Sequence, residues 1–465
     1  MAGKNKYADL TPIMQPKSVA VIGASDKPGK VGTAILQNYL DVGFQGEIYP
    51  VNIAGYDKIM GLKAYRSILD VKRPVDLAVI AVPAEVSVKV LAECGKAKAK
   101  GVVVVTSGFA EVGNVKLQEQ LAATARRYSL PVIGPNCLGV MDTRSRNDTL
   151  FLPTSKIARP KVGGVSFVSQ SGSVGSSTLD LISDAGFGLS KFISYGNAAV
   201  VDEVDILNYL AHDDDTKVIV FYIEGARRGR ELIEVAKKAT RLKPVIIIKG
   251  GVTPMGAGAA HSHTASLAGS GEAYKAVFRQ FGFITAETLE DLTYFAKIFD
   301  TQQLVTGKRI AILTNGGGHG VIATDALYNA GLQMASLSKE TERTLRKGMP
   351  PIVNIRLPLD IGGDADSARF SAALDALSHD SNIDAILSIV LFQTPGADES
   401  VADSIINLAS KKLKPLVVMS AGSEYTQSHV RLMEEAGIPV YDSPDVAARA
   451  LKALIDYSRY KKGIL

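Results

Sequence analysis

The feature that most constrains the fold is a short, strongly apolar run of β-branched residues that recurs along the whole chain. Each run is followed by a turn and then by a helical pattern, as in SVAVIGAS, DLAVIAVP, GVVVVTSG, GVSFVSQSG, KVIVFYIEG, PVIIIKGG, RIAILTNGGG, AILSIVLFQ and PLVVMSAG. Strands that are apolar on both faces are covered on both faces, which is typical of parallel sheets in α/β proteins. The alternation with helices therefore predicts right-handed βαβ units.

The chain length and two aperiodic segments predict three domains. At 465 residues the chain is too long for one hydrophobic core. Residues 143–164 carry prolines and mixed charge without periodicity, and residues 300–308 separate a helix from a fresh strand. We therefore expect three α/β domains, at residues 1–146, 160–300 and 308–465.

Composition argues against several classes of protein. The formal net charge is +5 and no long basic run occurs, which argues against nucleic-acid binding. Cys94 and Cys137 are too few for a disulfide framework or a metal site of the usual spacing, so we expect a reduced, cytoplasmic protein without a metal site. The sequence has neither a signal-peptide pattern nor a run of about 18 apolar residues, so we expect no association with a membrane.

The first strand-to-helix turn, in VAVIGASDKPGKVGTAILQNYL, predicts a site for a phosphate-containing ligand. Its glycines let the backbone approach a pyrophosphate, which then lies on the amides of the helix amino terminus. The spacing is not G-x-G-x-x-G, and the next strand ends at Asn52 rather than at the acidic residue of NAD-binding domains. We favour a ligand other than NAD, contacted by Gly23, Ser25 and Lys30; a structural turn with a solvated Lys30 is the alternative.

Two later turns have a similar composition. GGVSFVSQSGSVGSS places Ser171 and Gly172 at a helix start, where backbone amides suit a phosphate. TNGGGHG places Gly316, Gly317 and Gly318 at the start of another helix. Consecutive glycines lose much chain entropy on folding and contribute no side-chain packing. Both turns are candidate phosphate sites, although serine and glycine are also common at ordinary helix N-caps.

The segment GAGAAHSHTASLAG (256–269) is a long loop of small residues that contains His261 and His263. Such a loop is unusual in a compact domain and indicates function or disorder. A neutral histidine nitrogen can attack phosphorus when an acceptor such as a carboxylate holds the other ring nitrogen. Glu224, at the end of the buried strand in VIVFYIEG, is the candidate acceptor; a capping or solvated glutamate is the alternative.

Taken together, these motifs resemble the α subunits of the nucleoside-diphosphate-forming acyl-CoA synthetases. The similarity is to ADP-forming acetyl-CoA synthetases of the archaeal type, which are relatives of succinyl-CoA synthetase. It covers nearly the whole chain and is carried by VAVIGAS with PGKVG, IYPVN, VVVTSGFAE, IGPNCLGV, GGVSFVSQSGSVG, YIEG, SHTASLAG and TNGGGHG in this order. The resemblance implies a Rossmann-like CoA-binding domain followed by two flavodoxin-like domains with parallel sheets.

The resemblance also implies roles for individual residues. His263 corresponds to the phosphorylated histidine and Glu224 to the glutamate that orients its ring, while Ser171 and Gly172 correspond to a phosphate cradle. Gly316, Gly317 and Gly318 fall at the corresponding helix start of the third domain. Contacts to CoA are implied for Gly23, Ser25, Lys30, Asn52, Thr106, Ser107, Gly108 and Asn136.

The implied reaction is the reversible conversion of acetyl-CoA, ADP and phosphate into acetate, CoA and ATP. It proceeds through acetyl phosphate and a phosphohistidine. No segment of the sequence reads as an ATP-grasp domain. We therefore expect ADP and Mg2+ to bind mainly to a separate β subunit with that domain, in an α2β2 heterotetramer.

Two alternatives remain on the sequence. An NAD-dependent dehydrogenase is disfavoured by Asn52 and the missing fingerprint, and a non-catalytic CoA-binding regulatory or scaffold protein is disfavoured by intact His263 and Glu224. The chain departs from the family at Ala265, where many relatives have glycine, and at Leu357, where the family has asparagine. His261 has no assigned role.

Overall fold

The computed structural model describes residues 6–256 and 271–464. They form two compact units: Met1–Asp184 with Gly188–Leu289, and Ala185–Phe187 with Glu290–Leu465. The division into three domains at residues 1–146, 160–300 and 308–465 stays a prediction. In the described ranges, no helix is both long enough and apolar enough to span a membrane.

The first unit begins with a five-stranded parallel sheet in the order β2-β1-β5-β6-β7 and a small antiparallel pair, β3 and β4. All five residues of β1 are buried, as expected for a central parallel strand. The elements are α1 (Thr11–Met14), β1 (Ser18–Ile22), α2 (Val31–Asp41), β2 (Glu47–Val51), β3 (Lys58–Ile59), β4 (Leu62–Lys63), β5 (Leu77–Ile80), α3 (Ala84–Lys96), β6 (Gly101–Val104), α4 (Val115–Arg127) and β7 (Val132–Ile133).

The same unit continues into a seven-stranded sheet in the order β14-β13-β12-β10-β11-β8-β9. Strands β10 to β14 are parallel, whereas β8 and β9 are added antiparallel at one edge. The elements are β8 (Gly139–Asp142), β9 (Asn147–Asp148), β10 (Val162–Ser169), α5 (Gly172–Asp184), β11 (Leu189–Ser194), α6 (Glu203–His212), β12 (Val218–Ile223), α7 (Gly229–Leu242), β13 (Val245–Lys249), α8 (Gly271–Gln280) and β14 (Ile284–Thr285).

Strand β9 (Asn147–Asp148), which pairs with β8 at the sheet edge, is a difference from the sequence-based expectation, which assigned residues 143–164 only a connecting role. The segment is held by buried side-chain amides: Asn38 donates to the carbonyl of Leu150 (2.6 Å) and Asn147 to that of Ile13 (2.8 Å). Side chains, rather than a long series of strand-to-strand hydrogen bonds, pair with the backbone of this segment. The segment therefore shows no periodic pattern of apolar residues. Val103 and Ile133 of the first sheet and Val168 and Ile193 of the second belong to one continuous apolar core.

The second unit is built on a parallel sheet in the order β16-β15-β18-β19-β20, with β17 also pairing with β15. Asp366 and Asp398 cap two of its helices by accepting backbone N–H groups, as aspartate does at N-caps. The elements are α9 (Leu289–Thr301), β15 (Arg309–Thr314), α10 (Gly317–Asn329), β16 (Gln333–Met334), α11 (Lys339–Gly348), β17 (Leu359–Asp360), α12 (Ser367–His379), β18 (Ala385–Ile389), α13 (Glu399–Ser410), β19 (Leu416–Met419), α14 (Glu424–Glu435), β20 (Val440–Tyr441) and α15 (Pro444–Lys461).

Candidate functional site

The turn between β1 and α2 lines an open cleft of about 370 Å3 at the carboxyl ends of the strands. Ligands of open α/β sheets bind at this edge. The structure brings together four residues that the sequence singled out as contacts, Gly23, Ser25, Lys30 and Asn52. It adds lining residues that sequence reasoning missed, among them Lys27 and Tyr56. Lys27 lies inside the quoted motif, so a basic residue three positions before Lys30 was the available signal.

Two glycines of this turn are required by close backbone approach. A Cβ on Gly23, which has φ +98°, lies 2.3 Å from the carbonyl oxygen of Ala81. A Cβ on Gly32 lies 2.1 Å from the carbonyl oxygen of Gly23. No side chain caps the amino terminus of α2, and the first two residues of the helix, Val31 and Gly32, line the cleft. The turn is therefore suited to an anionic group.

Asn52 lines the cleft, but its side chain also holds the turn together. Its Nδ2 donates to the carbonyl oxygen of Ala24 (2.7 Å) and its Oδ1 accepts from the amide of Ala54 (2.9 Å). An aspartate would lose the first of these bonds, because a carboxylate has no N–H to donate. Asparagine at the end of β2 thus has a structural reason to replace the acidic residue of NAD-binding domains.

The segment after β6 meets the segment after β7. The Thr106 hydroxyl donates to the carbonyl oxygen of Val82 (2.7 Å), and the Thr106 carbonyl oxygen accepts from the amide of Asn136 (2.8 Å). Asn136 has φ +56°, a conformation that asparagine tolerates better than most residues. Ser107 is exposed, and Gly108 has φ +109°. The predicted residues Thr106 and Asn136 are therefore in direct contact.

A hydrogen-bond network that the sequence did not reveal joins these segments to the loop after β11. The Asn197 amide donates to the carboxylate of Glu111 (2.5 Å) and to Gln118 (2.8 Å), and its Oδ1 accepts from Asn136 (3.2 Å). Burial raises the pKa of Glu111, but bonds from Asn197 and the Gly108 and Phe109 amides outweigh it and hold that pKa below its usual value. Glu111 stands in the quoted motif VVVTSGFAE, where an acidic residue directly after a glycine-containing turn was the available signal.

The start of α5 lies beside the Asn136 segment. The backbone amide of Leu138 donates to the Ser194 hydroxyl (3.1 Å), and the Leu138 side chain passes 3.5 Å from the Cβ position of Gly172. Ser171 is buried, and its hydroxyl contacts that of Ser173 (3.2 Å). An alanine at residue 172 makes only ordinary contacts, so packing does not require glycine there. The predicted cradle residues Ser171 and Gly172 are thus adjacent to the IGPNCLGV segment.

Glu224 is a buried carboxylate with an unsatisfied oxygen at the carboxyl end of β12. Its side chain is 6% exposed, and Oε1 accepts from the Tyr222 hydroxyl (3.3 Å). Oε2 is fully buried and has no hydrogen-bond partner within residues 6–256 and 271–464. A buried carboxylate oxygen without a donor costs free energy, so this atom requires a partner from elsewhere. His261 and His263 lie outside the described residues, in the segment between β13, which neighbours β12, and α8.

The third predicted cradle, at the start of α10, differs from the first two. Gly316 is its N-cap without a side-chain cap, and a Cβ on Gly318 meets open space. A Cβ on Gly317, however, lies 2.6 Å from the carboxylate of Asp360. The carboxylate already compensates the positive end of this helix, so an anion binding there has to displace it or share the site with a cation.

Metal ligands are not grouped in the described part of the chain. No set of three or more His, Cys, Asp or Glu side chains converges there as a metal site. Cys94 and Cys137 are buried and unpaired, and burial raises the pKa of the Cys137 thiol to about 12. Neither thiol is a nucleophile at neutral pH in this environment.

Three family models match successive parts of the chain: a CoA binding domain (residues 17–143), a succinyl-CoA ligase like flavodoxin domain (162–299) and a Ligase-CoA domain (310–454). They confirm the predicted α/β fold, with a CoA-binding domain first and a flavodoxin-like domain second.

Curated relatives point to the same family. The chain is 42% identical over 457 residues to an ADP-forming acetate–CoA ligase of Methanocaldococcus jannaschii, with 97% of this chain and 64% of the relative covered. It is 39% identical over 462 residues to the alpha subunit of ADP-forming acetate–CoA ligase I of Pyrococcus furiosus, with 97% and 98% covered. The chain thus spans less than two thirds of the first relative and nearly all of the second.

A solved structure agrees over the full length. The dinucleotide-forming acetyl-coenzyme A synthetase 1 of Ca. Korarchaeum cryptofilum, in complex with phosphate and ADP, has a TM-score of 0.92 and 36% identity, with 98% of both chains covered. The resemblance inferred from the motifs is therefore confirmed. The chain belongs to the ADP-forming acetate–CoA ligase family, within the relatives of succinyl-CoA ligase.

Proposed function

We propose that this chain is the α subunit of an ADP-forming acyl-CoA synthetase that acts on acetyl-CoA. Phosphate attacks the thioester and displaces CoA, giving acetyl phosphate. His263 then takes the phosphoryl group and releases acetate, and phosphohistidine transfers the group to ADP to form ATP. Each step moves one acyl or phosphoryl group. In the first step, the proton that hydrogen phosphate loses balances the proton that the leaving CoA thiolate takes up.

The buried, unsatisfied Oε2 of Glu224 carries this proposal. A carboxylate in this position can accept an N–H from a histidine ring and so hold the other ring nitrogen as the nucleophile. The amides at the start of α5, with Ser171 and Gly172, provide donors for phosphate oxygens close by. The family relationship supplies the expectation that His263 is the histidine concerned.

The first-turn cleft is the proposed site for the phosphates of CoA. Lys27 and Lys30 add positive charge beside the amino terminus of α2, and Tyr56 adds an aromatic surface. Gly23, Ser25 and Asn52 shape the turn, and Thr106, Ser107, Gly108 and Asn136 continue along the same sheet edge. The contact of Leu138 with the start of α5 joins this CoA path to the phosphate cradle within one compact unit.

We infer that ADP and Mg2+ bind mainly to a separate β subunit that carries an ATP-grasp domain, in an α2β2 heterotetramer. The alpha-subunit name of the Pyrococcus furiosus relative supports a divided enzyme. The enzyme is proposed to work in the cytoplasm, where Cys94 and Cys137 stay reduced.

The Glu224→Gln variant tests the role of Glu224. Glutamine keeps the size of the side chain but weakens the acceptor, because a charged hydrogen bond is worth about 1.5–3 kcal/mol. Phosphorylation by labelled phosphate and acetyl-CoA should slow by roughly tenfold or more, whereas CoA affinity should stay within about twofold. Glu119→Gln, at an exposed position on α4, is the matched control and should change neither. Equal losses of labelling and CoA affinity in Glu224→Gln would show that Glu224 is structural.

A further inference from the structure

Gln170 lies at the point where the phosphate cradle meets Glu224. It follows the last residue of β10 and directly precedes Ser171. Its backbone amide donates to the carbonyl oxygen of Tyr222 (3.1 Å), which continues the parallel pairing of β10 with β12. This backbone hydrogen bond places Gln170 between the ends of β10 and β12, and its side chain there is half-buried.

The side-chain oxygen of Gln170 accepts three hydrogen bonds. The backbone amide of Glu224 donates to Oε1 at 2.7 Å, the amide of Gly225 at 3.3 Å and the Tyr195 hydroxyl at 3.3 Å. Burial raises the pKa of Tyr195 well above its usual value, so this hydroxyl keeps its proton and acts as a donor. Three donors around one atom identify that atom as the oxygen of the amide.

These bonds hold the backbone on which the Glu224 carboxylate depends. The turn after β12 has left the parallel ladder, so the amides of Glu224 and Gly225 need an acceptor from outside the strand. Gly250, which follows β13, lies on the opposite side, where an added Cβ would come within 2.5 Å of the Tyr222 hydroxyl and 3.6 Å of Cγ of Glu224. The backbone of Glu224 is therefore held by Gln170, and its side chain lies close to Gly250.

We propose that Gln170 is a positioning residue for Glu224: its side-chain oxygen fixes the Glu224–Gly225 backbone relative to the start of α5. This proposal rests on the proposed function, and it goes beyond it by assigning a role to a residue outside the acceptor, the histidine and the cradle. A small displacement of the Glu224 carboxylate should slow the reaction strongly, since a misplacement of about 1 Å can lower a rate by about a hundredfold.

Two variants separate positioning from packing. Gln170→Leu keeps the approximate volume and removes the acceptor, whereas Gln170→Glu keeps an oxygen that accepts the same three donors. In the full chain with labelled phosphate and acetyl-CoA, Gln170→Leu should slow histidine labelling by about tenfold or more. Gln170→Glu should recover the rate to within about threefold of wild type, since a carboxylate is the stronger acceptor. CoA affinity should stay within about twofold in both variants.

Amide hydrogen exchange reports on the same contact without requiring turnover. Exchange of the peptide containing Glu224 and Gly225 should accelerate by about tenfold in Gln170→Leu and stay near wild type in Gln170→Glu. Unchanged exchange and labelling in Gln170→Leu, or no recovery of either in Gln170→Glu, would overturn the proposal. A wild-type chain that takes no label would overturn the proposed function, and the exchange result distinguishes that failure from an error about Gln170.

Discussion

Replacing Glu203 by glutamine should stabilise the chain at neutral pH and leave its stability at acidic pH unchanged. Glu203 stands in the first turn of α6 and is 2% exposed, and its Oε1 has no hydrogen-bond partner in the described ranges. Burial and the neighbouring charge of Asp202 raise the pKa of Glu203 to about 7. The folded protein therefore retains a proton on Glu203 at pH values where the unfolded chain has released it.

The sign and the size follow from linkage. Below pH about 4.5 both states hold the proton, so Glu203 contributes no pH dependence. Between pH about 4.5 and about 7 the unfolded state binds fewer protons than the folded state, so the free energy of unfolding falls as pH rises. A difference of about 2.5 pKa units at about 1.4 kcal/mol each gives a total loss of roughly 3 kcal/mol, complete above pH 7.

Thermal unfolding of wild type and Glu203→Gln between pH 4.5 and pH 8 measures this difference. The variant should unfold at the same temperature as wild type near pH 4.5 and on the order of 5 °C higher at pH 8. Glu119→Gln, at an exposed position of the same compact unit, is the control and should show no such divergence. A constant offset between Glu203→Gln and wild type across this range would refute the assignment of a buried, protonated Glu203.

Two further substitutions test packing and charge at other places in the first unit. Gly32→Ala forces the start of α2 away from the Gly23 carbonyl, so calorimetric titration should show CoA affinity reduced by about tenfold or more. Gly229→Ala, where the added Cβ meets open space and φ is not positive, is the control and should bind CoA like wild type; equal affinities in the two variants would contradict the close approach. Lys191→Met should lower the free energy of unfolding by about 3–5 kcal/mol, because the fully buried Lys191 pairs with Asp142 (3.2 Å) and Asp213 (2.8 Å). Lys100→Met, which removes a lysine that is 60% exposed, should cost less than about 1 kcal/mol, and a similar loss in both variants would refute the distinction.

Sequence patterns that arise from burial predicted the architecture well. Central strands such as β1 and β12 are apolar because helices cover both faces of their sheets. The buried strands can therefore be recognised from the sequence as runs of apolar residues. The first turn was also predictable, because close backbone approach at Gly23 and Gly32 demands glycine. The apolar strands and the glycine turn could both be predicted because each depends on elements that lie close by in the sequence.

Contacts between segments that are distant in the sequence could not be predicted in this way. The edge strands β8 and β9 are short and pair antiparallel through residues with no alternating pattern, so their position follows only from the folded chain. Glu111 and Asn197 are 86 residues apart, and nothing local to either residue indicates their hydrogen bond. Likewise, the hydrogen bond between Gln170 and the amide of Glu224, 54 residues later, is visible only in the folded chain. The predicted residues Ser171 and Gly172 and the acceptor Glu224 could be named from motifs, but their mutual support could not.

Labelling with radioactive phosphate decides whether the chain carries a phosphohistidine. The purified chain, incubated with labelled phosphate and acetyl-CoA, should gain an acid-labile, base-stable label, and mass spectrometry should place it on His263. His261→Ala should be labelled like wild type, whereas His263→Ala should take no label and should form no ATP when ADP, Mg2+ and the β subunit are added. Undiminished labelling or ATP synthesis in His263→Ala would contradict the proposed phosphohistidine mechanism.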